Sequence, residues 1–400
     1  MNRRDSLAAS AVTAATLQAA PGRAPEPKRG PFQHRGYYTI GTRYPTAGLA
    51  VWKRVLDAMR ADGCNLLIHW FAGGFQSKKY PESWAHNADH ENVKADFTRA
   101  MIDDAKSKGV RVILGFAPFG YDGVNLMTKA RPEWKAVGKG GMPTGEFGIG
   151  CWGHSLCPAN PACQEFMLGY VREMLFDFYP DAGGLFVESS DYSTCFCDRC
   201  KFNGGAGHFE HEYRFVKAIS GEAWAKDPDA MVVYPHYFSG DISKHTAGKE
   251  KAATEPFDPR YTHFFTPHST KPNPTLMAKA RGSLWWDEAM IFGTPEAVKN
   301  GAAHAAAQGF TGYTPTLEAY SFAPTHDEGE PWTVGRRQVP FGIGWVPPDQ
   351  SAYDELPIRT ARIAYRKFAR NPALPMEDFR KLLASKSSAR PRPTATWRTC

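Results

Sequence analysis

Eight short apolar runs, separated by segments with helical spacing, constrain the fold of this chain more than any other feature of its sequence. Each run has the length and the β-branched or aromatic content of a strand. In chain order they are GYYTIGT (36–42), CNLLIHW (64–70), VRVILGFAP (110–118), GGLFVESS (183–190), MVVYPHY (231–237), YTHFFTP (261–267), GSLWWDE (282–288) and GFTGYTPTLE (309–318). Strands that alternate with helices predict a parallel sheet in an α/β protein. Eight strands are the number that closes a (β/α)8 TIM barrel, and an open doubly wound sheet is the alternative.

Two of the intervening segments carry clear helix signals. Residues 161–178 place apolar side chains three and four positions apart, which predicts a helix with one buried face. Asn160 is a suitable N-cap for it, and Pro161 fits its first turn. Thr294 is the equivalent cap of a later helix, which we expect Gly309 to end.

Other connections are less regular. A helix is predicted at 91–108, with Val93, Phe97 and Met101 on one face. The segments 241–257 and 272–281 have weak helical patterns. A long connection rich in Gly, Pro and Trp covers 119–160, and connections of this length are usually functional.

Composition limits the kind of partner. The chain has 400 residues, of which 42% are apolar and 22% charged, as in water-soluble globular proteins. No run approaches the 18 or so apolar residues of a membrane span, so we expect no membrane partner. The formal net charge of +7 is spread along the chain without a basic stripe, so nucleic acid is not expected either.

The two ends of the chain differ in amino-acid composition from the middle. Paired Arg3 and Arg4 precede an Ala-rich stretch, which resembles a twin-arginine export signal, and a Pro-rich linker follows. We therefore expect residues 1–35 to be an export signal and linker, and the protein to be periplasmic or secreted. An unstructured cytosolic tail is the alternative. Residues 36–372 are predicted to form the barrel, and 373–400 a C-terminal helix remnant with a disordered basic tail.

Residues that follow barrel strands face one common rim, where barrel enzymes carry their active sites. The predicted strand ends contain many polar and aromatic side chains. They are His69, Trp70, Glu188, Asp191, His236, Tyr237, His268, Trp285, Trp286, Asp287, Glu288, Glu318 and Tyr320. Carboxylates thus cluster at three strand ends, with aromatic residues beside them.

Carboxyl groups around one cleft suit glycoside hydrolysis, because one must donate a proton and another must attack the sugar or activate water. Aromatic rings can stack on the apolar face of a sugar. The residues expected to contact substrate are His69, Trp70, Asp191, His236, Tyr237, Trp286, Glu288 and Tyr320. Each residue type also has a structural reading: a carboxylate can cap a helix, a histidine can be a core residue, and a tryptophan can simply pack.

The stretch RPEW…SLCPANPACQEFMLGYVREMLFDFYPDAGGLFVESSD resembles barrel glycoside hydrolases, including those related to alpha-glucuronidases and beta-hexosaminidases. The resemblance extends diffusely over 36–370 and implies a glycosidase-like barrel that acts on an oligo- or polysaccharide. In such enzymes a Glu at the end of strand four supplies the general acid, and Glu188 occupies that position. The resemblance implies that Asp287 or Glu318, on later strands, is the nucleophile or base.

Two other functions remain open from the sequence. A metal-dependent sugar isomerase or hydrolase would use His69, Glu188, His236 and Asp287 as ligands. A carbohydrate-binding barrel without catalytic activity is the other alternative. The fold alone does not choose among these, because barrels host many chemistries.

Three of the eight cysteines have the spacing C-x-C-x-x-C, just after the fourth apolar run. They are Cys195, Cys197 and Cys200, and Cys157 or Cys163 could complete a set of four. Four thiolates suit a structural Zn²⁺, an exported protein also permits disulfides, and unpaired thiols are the third reading; all three stay open. With zinc or disulfides we expect the cysteines to fix the loop after strand four, and no cofactor is expected to be required for catalysis.

Overall fold

The computed structural model describes residues 30–39, 48–70, 75–85, 88, 91–120, 124, 127–138, 155–188, 195–235, 258–267, 278–287, 294–316, 332–334, 337–339 and 356–387. The paired arginines of the predicted export signal and the basic tail beyond residue 387 lie outside these residues. Export and the predicted domain boundaries therefore stay predictions.

Eight parallel strands form a closed barrel in chain order. They are β1 (His34–Thr39), β2 (Leu66–Trp70), β3 (Arg111–Phe116), β4 (Gly184–Val187), β5 (Met231–Pro235), β6 (Tyr261–Phe265), β7 (Gly282–Trp285) and β8 (Gly312–Tyr313). The circle closes where His34 of β1 pairs with Gly312 of β8. Closure confirms the predicted α/β class and (β/α)8 barrel, and it excludes the open doubly wound sheet.

Helices occupy most of the described connections. They are α1 (Leu49–Asp62), α2 (Glu91–Ala95), α3 (Thr98–Ser107), α4 (Met127–Ala130), α5 (Pro161–Arg172), α6 (Phe202–Lys226), α7 (Pro295–Ala307), α8 (Leu356–Phe368) and α9 (Met376–Ser387). A separate antiparallel pair contains β9 (Trp332–Val334) and β10 (Arg337–Val339). None of the helices in the described ranges is long and apolar enough to span a bilayer.

The predicted helix caps are present. The Asn160 side chain accepts a hydrogen bond of 3.0 Å from the Ala162 backbone N–H at the start of α5. Thr294 accepts one of 3.2 Å from the Ala297 N–H at the start of α7. Gly309 follows α7 with a φ of 75°, a left-handed conformation that glycine adopts without steric cost. After α5 the chain continues as a π-helix, Glu173–Phe178.

The single helix predicted at 91–108 is wrong, because the segment forms two helices, α2 and α3. The break lies at Asp96, whose φ of 38° is incompatible with a continuous right-handed helix. The Asp96 carboxylate accepts a hydrogen bond of 2.9 Å from the Tyr179 hydroxyl, which stabilises the break. The apolar face was predicted correctly, since its residues are buried: Val93, Phe97 and Met101.

Side chains of the barrel strands alternate between two buried layers. One layer fills the inside of the barrel and contains Tyr38, Leu66, Ile68, Trp70, Ile113, Ala117, Phe186, Met231, Val233, Phe264, Leu284 and Trp286. The other lies between the strands and the surrounding helices. In β2, for example, Ile68 and Trp70 point inward, whereas Leu67 points to the helices. This alternation decides which strand-end residues reach the barrel interior.

Helix α8 attaches the C-terminal part of the chain to the barrel. The Tyr365 hydroxyl donates to the Tyr313 carbonyl at 2.6 Å and accepts from the Gly36 N–H at 2.8 Å. Asp62 of α1 accepts hydrogen bonds from two arginines of α8, Arg362 at 2.9 Å and Arg366 at 3.2 Å. Since these contacts join α8 to α1 and to strands β1 and β8, α8 packs over the point where the barrel closes.

Candidate active site

Glu188 lies at the carboxyl end of β4 and belongs to the inner layer. Its backbone N–H donates to the Phe116 carbonyl at 3.0 Å, which continues the β3–β4 ladder by one residue. Because Glu188 follows the inward-facing Phe186 by two positions, its side chain also faces the barrel interior. The residue is only 3% exposed. The predicted catalytic glutamate thus lies at the end of the barrel where such folds carry their active sites.

Tyr38 holds the Glu188 carboxylate in place. The Tyr38 hydroxyl donates a short hydrogen bond to Glu188 Oε2. Four aromatic side chains surround the Tyr38 ring, with centroid separations between 5.0 and 6.2 Å: Trp70, Phe186, Phe264 and Trp286. The aromatic side chains hold the Tyr38 ring in place, and the Tyr38 hydroxyl in turn orients the Glu188 carboxyl group.

Trp286 is part of the inner layer and has a fixed ring. Its indole Nε1–H donates to Thr316 Oγ1 at 2.8 Å, and its ring stacks on Phe264 at an interplanar angle of 26°. The residue is 7% exposed. Trp70, the other tryptophan predicted to contact substrate, is 1% exposed and lies in the same layer. The structure thus brings Glu188, Trp70 and Trp286 together, as the strand ends predict.

Asp287 lies on the other face of the barrel wall. Its carboxylate accepts hydrogen bonds from the Tyr313 hydroxyl at 3.1 and 3.2 Å and from Trp285 Nε1–H at 3.3 Å. A Cβ atom on Gly301 of α7 would come within 2.0 Å of Asp287 Oδ2, so the helix covers the carboxylate closely. Glu188 and Asp287 were predicted to face one cleft, and the structure does not bring them together. These contacts hold the Asp287 carboxylate between the barrel wall and α7.

His69 also belongs to the outer layer. Its ring contacts the Trp52 ring of α1 edge to face, with centroids 4.7 Å apart. Complete burial lowers the pKa of His69 to about 3, because a charged imidazole would lose its hydration there. His69 and Asp287 therefore face away from Glu188. The ligand set predicted for a metal-dependent enzyme is not assembled from the three members that the structure describes.

The remaining predicted site residues lie outside the described residues. They are Asp191, His236, Tyr237, Glu288, Glu318 and Tyr320. Their roles stay predictions. Tyr38, in contrast, is a site residue that sequence reasoning missed, because it lies inside the first apolar run rather than at its end. The pairing of β1 with β2 was the signal that could have found it. Tyr38 pairs with Ile68, whose side chain faces the barrel interior.

Four cysteines converge beside the loop that follows β4. They are Cys157, Cys195, Cys197 and Cys200, and their sulfur atoms all lie within 4.8 Å of one another. Among the described residues this is the one group of three or more potential ligands with metal-binding proximity. Side-chain hydrogen bonds from Cys157 and Cys200 lower the pKa of Cys195 below its usual value. Cys163, the alternative fourth member, is not in the group.

Polar contacts between buried groups connect the cysteine cluster with α6 and β5. The Cys195 backbone N–H donates to His208 Nδ1 at 3.0 Å. His208 Nε2 lies 3.9 Å from Glu212 Oε2, and Tyr234 of β5 donates to Glu212 Oε1 at 3.4 Å. The start of the cysteine segment is thereby tied to the barrel wall through buried side chains.

No model of a known protein family matches the sequence, and no curated protein matches it. The solved structures that the chain resembles include glycoside hydrolases. A chitobiase from Flavobacterium johnsoniae has a TM-score of 0.52 and 12% identity, over 89% of this chain and 51% of that chain. The pneumococcal virulence factor StrH has a TM-score of 0.52 and 12% identity, over 90% and 89%. A GH138 enzyme targeting pectin rhamnogalacturonan II has a TM-score of 0.50 and 13% identity, over 88% and 40%.

Because the sequence identities are only 12 to 13%, the similarity to these structures is a similarity of fold. The chain spans about half or less of the length of the chitobiase and of the GH138 enzyme. The resemblance to glycosidase-type barrels, inferred from the sequence, is confirmed at the level of architecture. Activity, substrate and catalytic residues do not follow from the superpositions and are the subject of a proposal.

Proposed function

We propose that the protein is a carbohydrate-active hydrolase that cleaves glycosidic bonds, with Glu188 as its general acid. The observation that carries this proposal is the position of the Glu188 carboxyl group. It lies at the carboxyl end of a barrel strand, faces the barrel interior and is bound by Tyr38 above an aromatic layer. This end of the barrel is where enzymes with the fold bind their substrates.

Glycoside cleavage needs a carboxylic acid within reach of the oxygen atom that leaves. In this proposal Oε1, the carboxyl oxygen that does not accept from the Tyr38 hydroxyl, donates the proton to the leaving group. Fixing the carboxyl group in advance lowers the entropy that must be lost when the proton is transferred. In this proposal Tyr38 is a positioning residue, since it acts on the sugar through Glu188.

The second carboxylate in the proposed mechanism is Glu318, the nucleophile or base. Of the two candidates, Asp287 is held on the outer face by Tyr313 and Trp285. Glu318 follows Thr316 by two residues, and the Thr316 hydroxyl already reaches the inner layer through Trp286. The chain position of Glu318 therefore favours it over Asp287 as the partner of Glu188.

The proposed substrate is an oligo- or polysaccharide. Trp286 is fixed both by its hydrogen bond to Thr316 and by stacking on Phe264, so its ring needs no ordering when a sugar binds. The exposed part of Trp286 is small, 7%, so in this proposal the ring contacts the sugar at its edge and closes the floor of the site. The architectural neighbours give two classes for a first screen, N-glycans and pectin rhamnogalacturonan II.

The test measures release of reducing ends by the full chain from N-glycans and rhamnogalacturonan II fragments. We expect one class to be cleaved and Glu188→Gln to lower its kcat by about 10²- to 10⁴-fold, the usual contribution of general acid catalysis. The thermal midpoint of unfolding should change little, because the substitution keeps the shape of the side chain.

The matched control is Glu222→Gln. Glu222 lies on α6 and pairs at the surface with Arg172, so this variant removes a carboxylate without touching the barrel interior. It should retain full activity. Undiminished kcat in Glu188→Gln, or equal losses in both variants, would overturn the assignment of Glu188. Binding of the sugars without any cleavage would instead identify a carbohydrate-binding barrel.

A further inference from the structure

The cysteine cluster joins two segments that are distant in sequence. Cys157 precedes α5, whereas Cys195, Cys197 and Cys200 follow β4. The Sγ atom of Cys157 lies 3.6 Å from that of Cys197 and 3.8 Å from that of Cys200. All six cysteines in the described part of the chain are free. No disulfide joins the four cluster cysteines in the described part of the chain.

The spacing of the sulfur atoms distinguishes a metal site from two disulfides. Four sulfurs at about 2.3 Å from a tetrahedral Zn²⁺ lie about 3.8 Å from one another. A disulfide brings two sulfurs to about 2.05 Å. The separations of 3.6 and 3.8 Å match the edges of a zinc tetrahedron.

The backbone around the cluster is shaped for thiolate ligands. The Cys200 and Lys201 N–H groups both donate to the Cys197 carbonyl, at 2.8 and 2.9 Å, and this turn brings Cys197 and Cys200 to one side. The Val137 N–H donates to Cys195 Sγ at 3.3 Å. A hydrogen bond to sulfur stabilises the charged thiolate, the form that binds a metal.

Apolar burial alone holds this region weakly. The cysteines form a small buried cluster of their own, separate from the two main core layers, and its other members are Ala136 and Ala159. No large apolar side chain belongs to that cluster, so its burial contributes little free energy. Regular backbone pairing adds little, since the pairing described there is one antiparallel bridge, Lys135 to Leu156, and the contact with α6 is the hydrogen bond from the Cys195 N–H to His208. Such a region needs a cross-link.

We propose that Cys157, Cys195, Cys197 and Cys200 bind one structural Zn²⁺. Four protein ligands complete the coordination of zinc and leave no position for substrate or water, which is the arrangement of structural rather than catalytic sites. The ion fixes the segment that begins seven residues after Glu188 and ties it to the connection before α5. The proposal does not depend on the glycosidase assignment.

The first test measures metal content by mass spectrometry on the full chain purified without chelators. We expect one zinc per chain. Cys197→Ser and Cys200→Ser should lower zinc to below about a tenth of that value, because three ligands bind the ion far less tightly. Cys64→Ala is the matched control, since Cys64 is buried outside the cluster, and it should keep the full zinc content.

The second test uses the unmodified protein, in case the serine variants do not fold. Titration with a mercurial reagent in the presence of a zinc indicator should release one zinc as four thiols react. Chelation should lower the thermal midpoint by roughly 10 °C, because metal binding contributes to folding free energy. Disulfides among these four cysteines, located by peptide mapping under non-reducing conditions, would overturn the proposal. So would iron in place of zinc, or four reactive thiols without metal.

Discussion

The two faces of the barrel wall carry the same pair of groups in different surroundings. On the inner face Tyr38 donates to Glu188, and on the outer face Tyr313 donates to Asp287. Both carboxylates are at least nine-tenths buried. The inner pair stands at the end of the barrel above aromatic rings, whereas the outer pair is covered by α7. The comparison shows that a tyrosine–carboxylate pair does not by itself indicate catalysis.

Gly301 explains why the outer pair is sealed. A Cβ atom at this position would lie 2.0 Å from Asp287 Oδ2 and 2.3 Å from the Tyr313 hydroxyl, so α7 approaches the wall as closely as glycine permits. Burial and the nearby Asp287 raise the pKa of Tyr313 well above its usual value, which keeps the phenol protonated as a donor. The outer pair therefore holds α7 to the barrel.

The largest effect on stability is expected for Asp287→Asn. The substitution removes the charge that accepts hydrogen bonds from Tyr313 and Trp285 in a site without room for rearrangement. We expect a loss of about 3 kcal/mol in the free energy of unfolding, measured by urea denaturation. At temperatures where the variant is folded, kcat should be unchanged. A loss of kcat at unchanged stability would assign Asp287 to the reaction and remove the contrast between the two faces.

Burial of His69 on the outer face makes the stability of the protein depend on pH. The native pKa is about 3, whereas an unfolded histidine titrates near 6.5, so below pH 6.5 protons bind preferentially to the unfolded chain. Stability is thus lost as the pH falls from 6.5, by about 2.7 kcal/mol at pH 4.5 from this residue. In His69→Gln this part of the loss should disappear. Equal pH dependence in the variant and the wild type would contradict the assigned burial.

Gly301→Ala tests the close approach of α7 directly. The added methyl group must displace the helix or the Asp287 carboxylate, and crowding of this kind costs about 2 kcal/mol. Gly221→Ala is the matched control, because a Cβ atom there meets nothing within 4 Å and alanine favours the helix. We expect Gly301→Ala to lower the thermal midpoint and Gly221→Ala to leave it unchanged or raise it. The reverse order would contradict the described packing.

The smallest effect is expected for Tyr38→Phe on the inner face. The variant keeps the ring contacts and removes the hydrogen bond to Glu188. We expect kcat to fall about tenfold and the basic limb of the pH–rate profile to move to higher pH, because a general acid is inactive once deprotonated and the lost hydrogen bond favoured the charged form of Glu188. Tyr313→Phe is the outer control and should change stability rather than the pH profile. An unchanged profile in Tyr38→Phe would remove the positioning role.

Much of the fold could be predicted because it depends on local patterns. The eight apolar runs contain the described strands, except that β1 begins two residues earlier, and Asn160 and Thr294 cap helices as their side chains suggest. The break at Asp96 was missed because it depends on a tertiary hydrogen bond from Tyr179. A sequence of good helical spacing does not show that a distant side chain will bind there.

The site could be predicted only in part, because barrel strands are buried on both faces. In IHW, the end of β2, both His69 and Trp70 look equally suited to the rim, yet one position separates the outer layer from the inner one. Likewise Trp286 faces the barrel interior, whereas the next residue, Asp287, faces the helices. Glu188 was predicted correctly as a strand-end residue, whereas its partner Tyr38 depends on pairing between strands far apart in sequence.

The central claim is that Glu188 donates the proton to the leaving group, and leaving-group dependence tests it most directly. The measurement is kcat of the wild type and of Glu188→Gln on the natural glycoside and on its 2,4-dinitrophenyl analogue, whose phenolate departs without protonation. The account predicts a loss of about 10³-fold on the natural glycoside and a loss of less than about tenfold on the analogue. Equal losses on both substrates, or no loss on either, would contradict it.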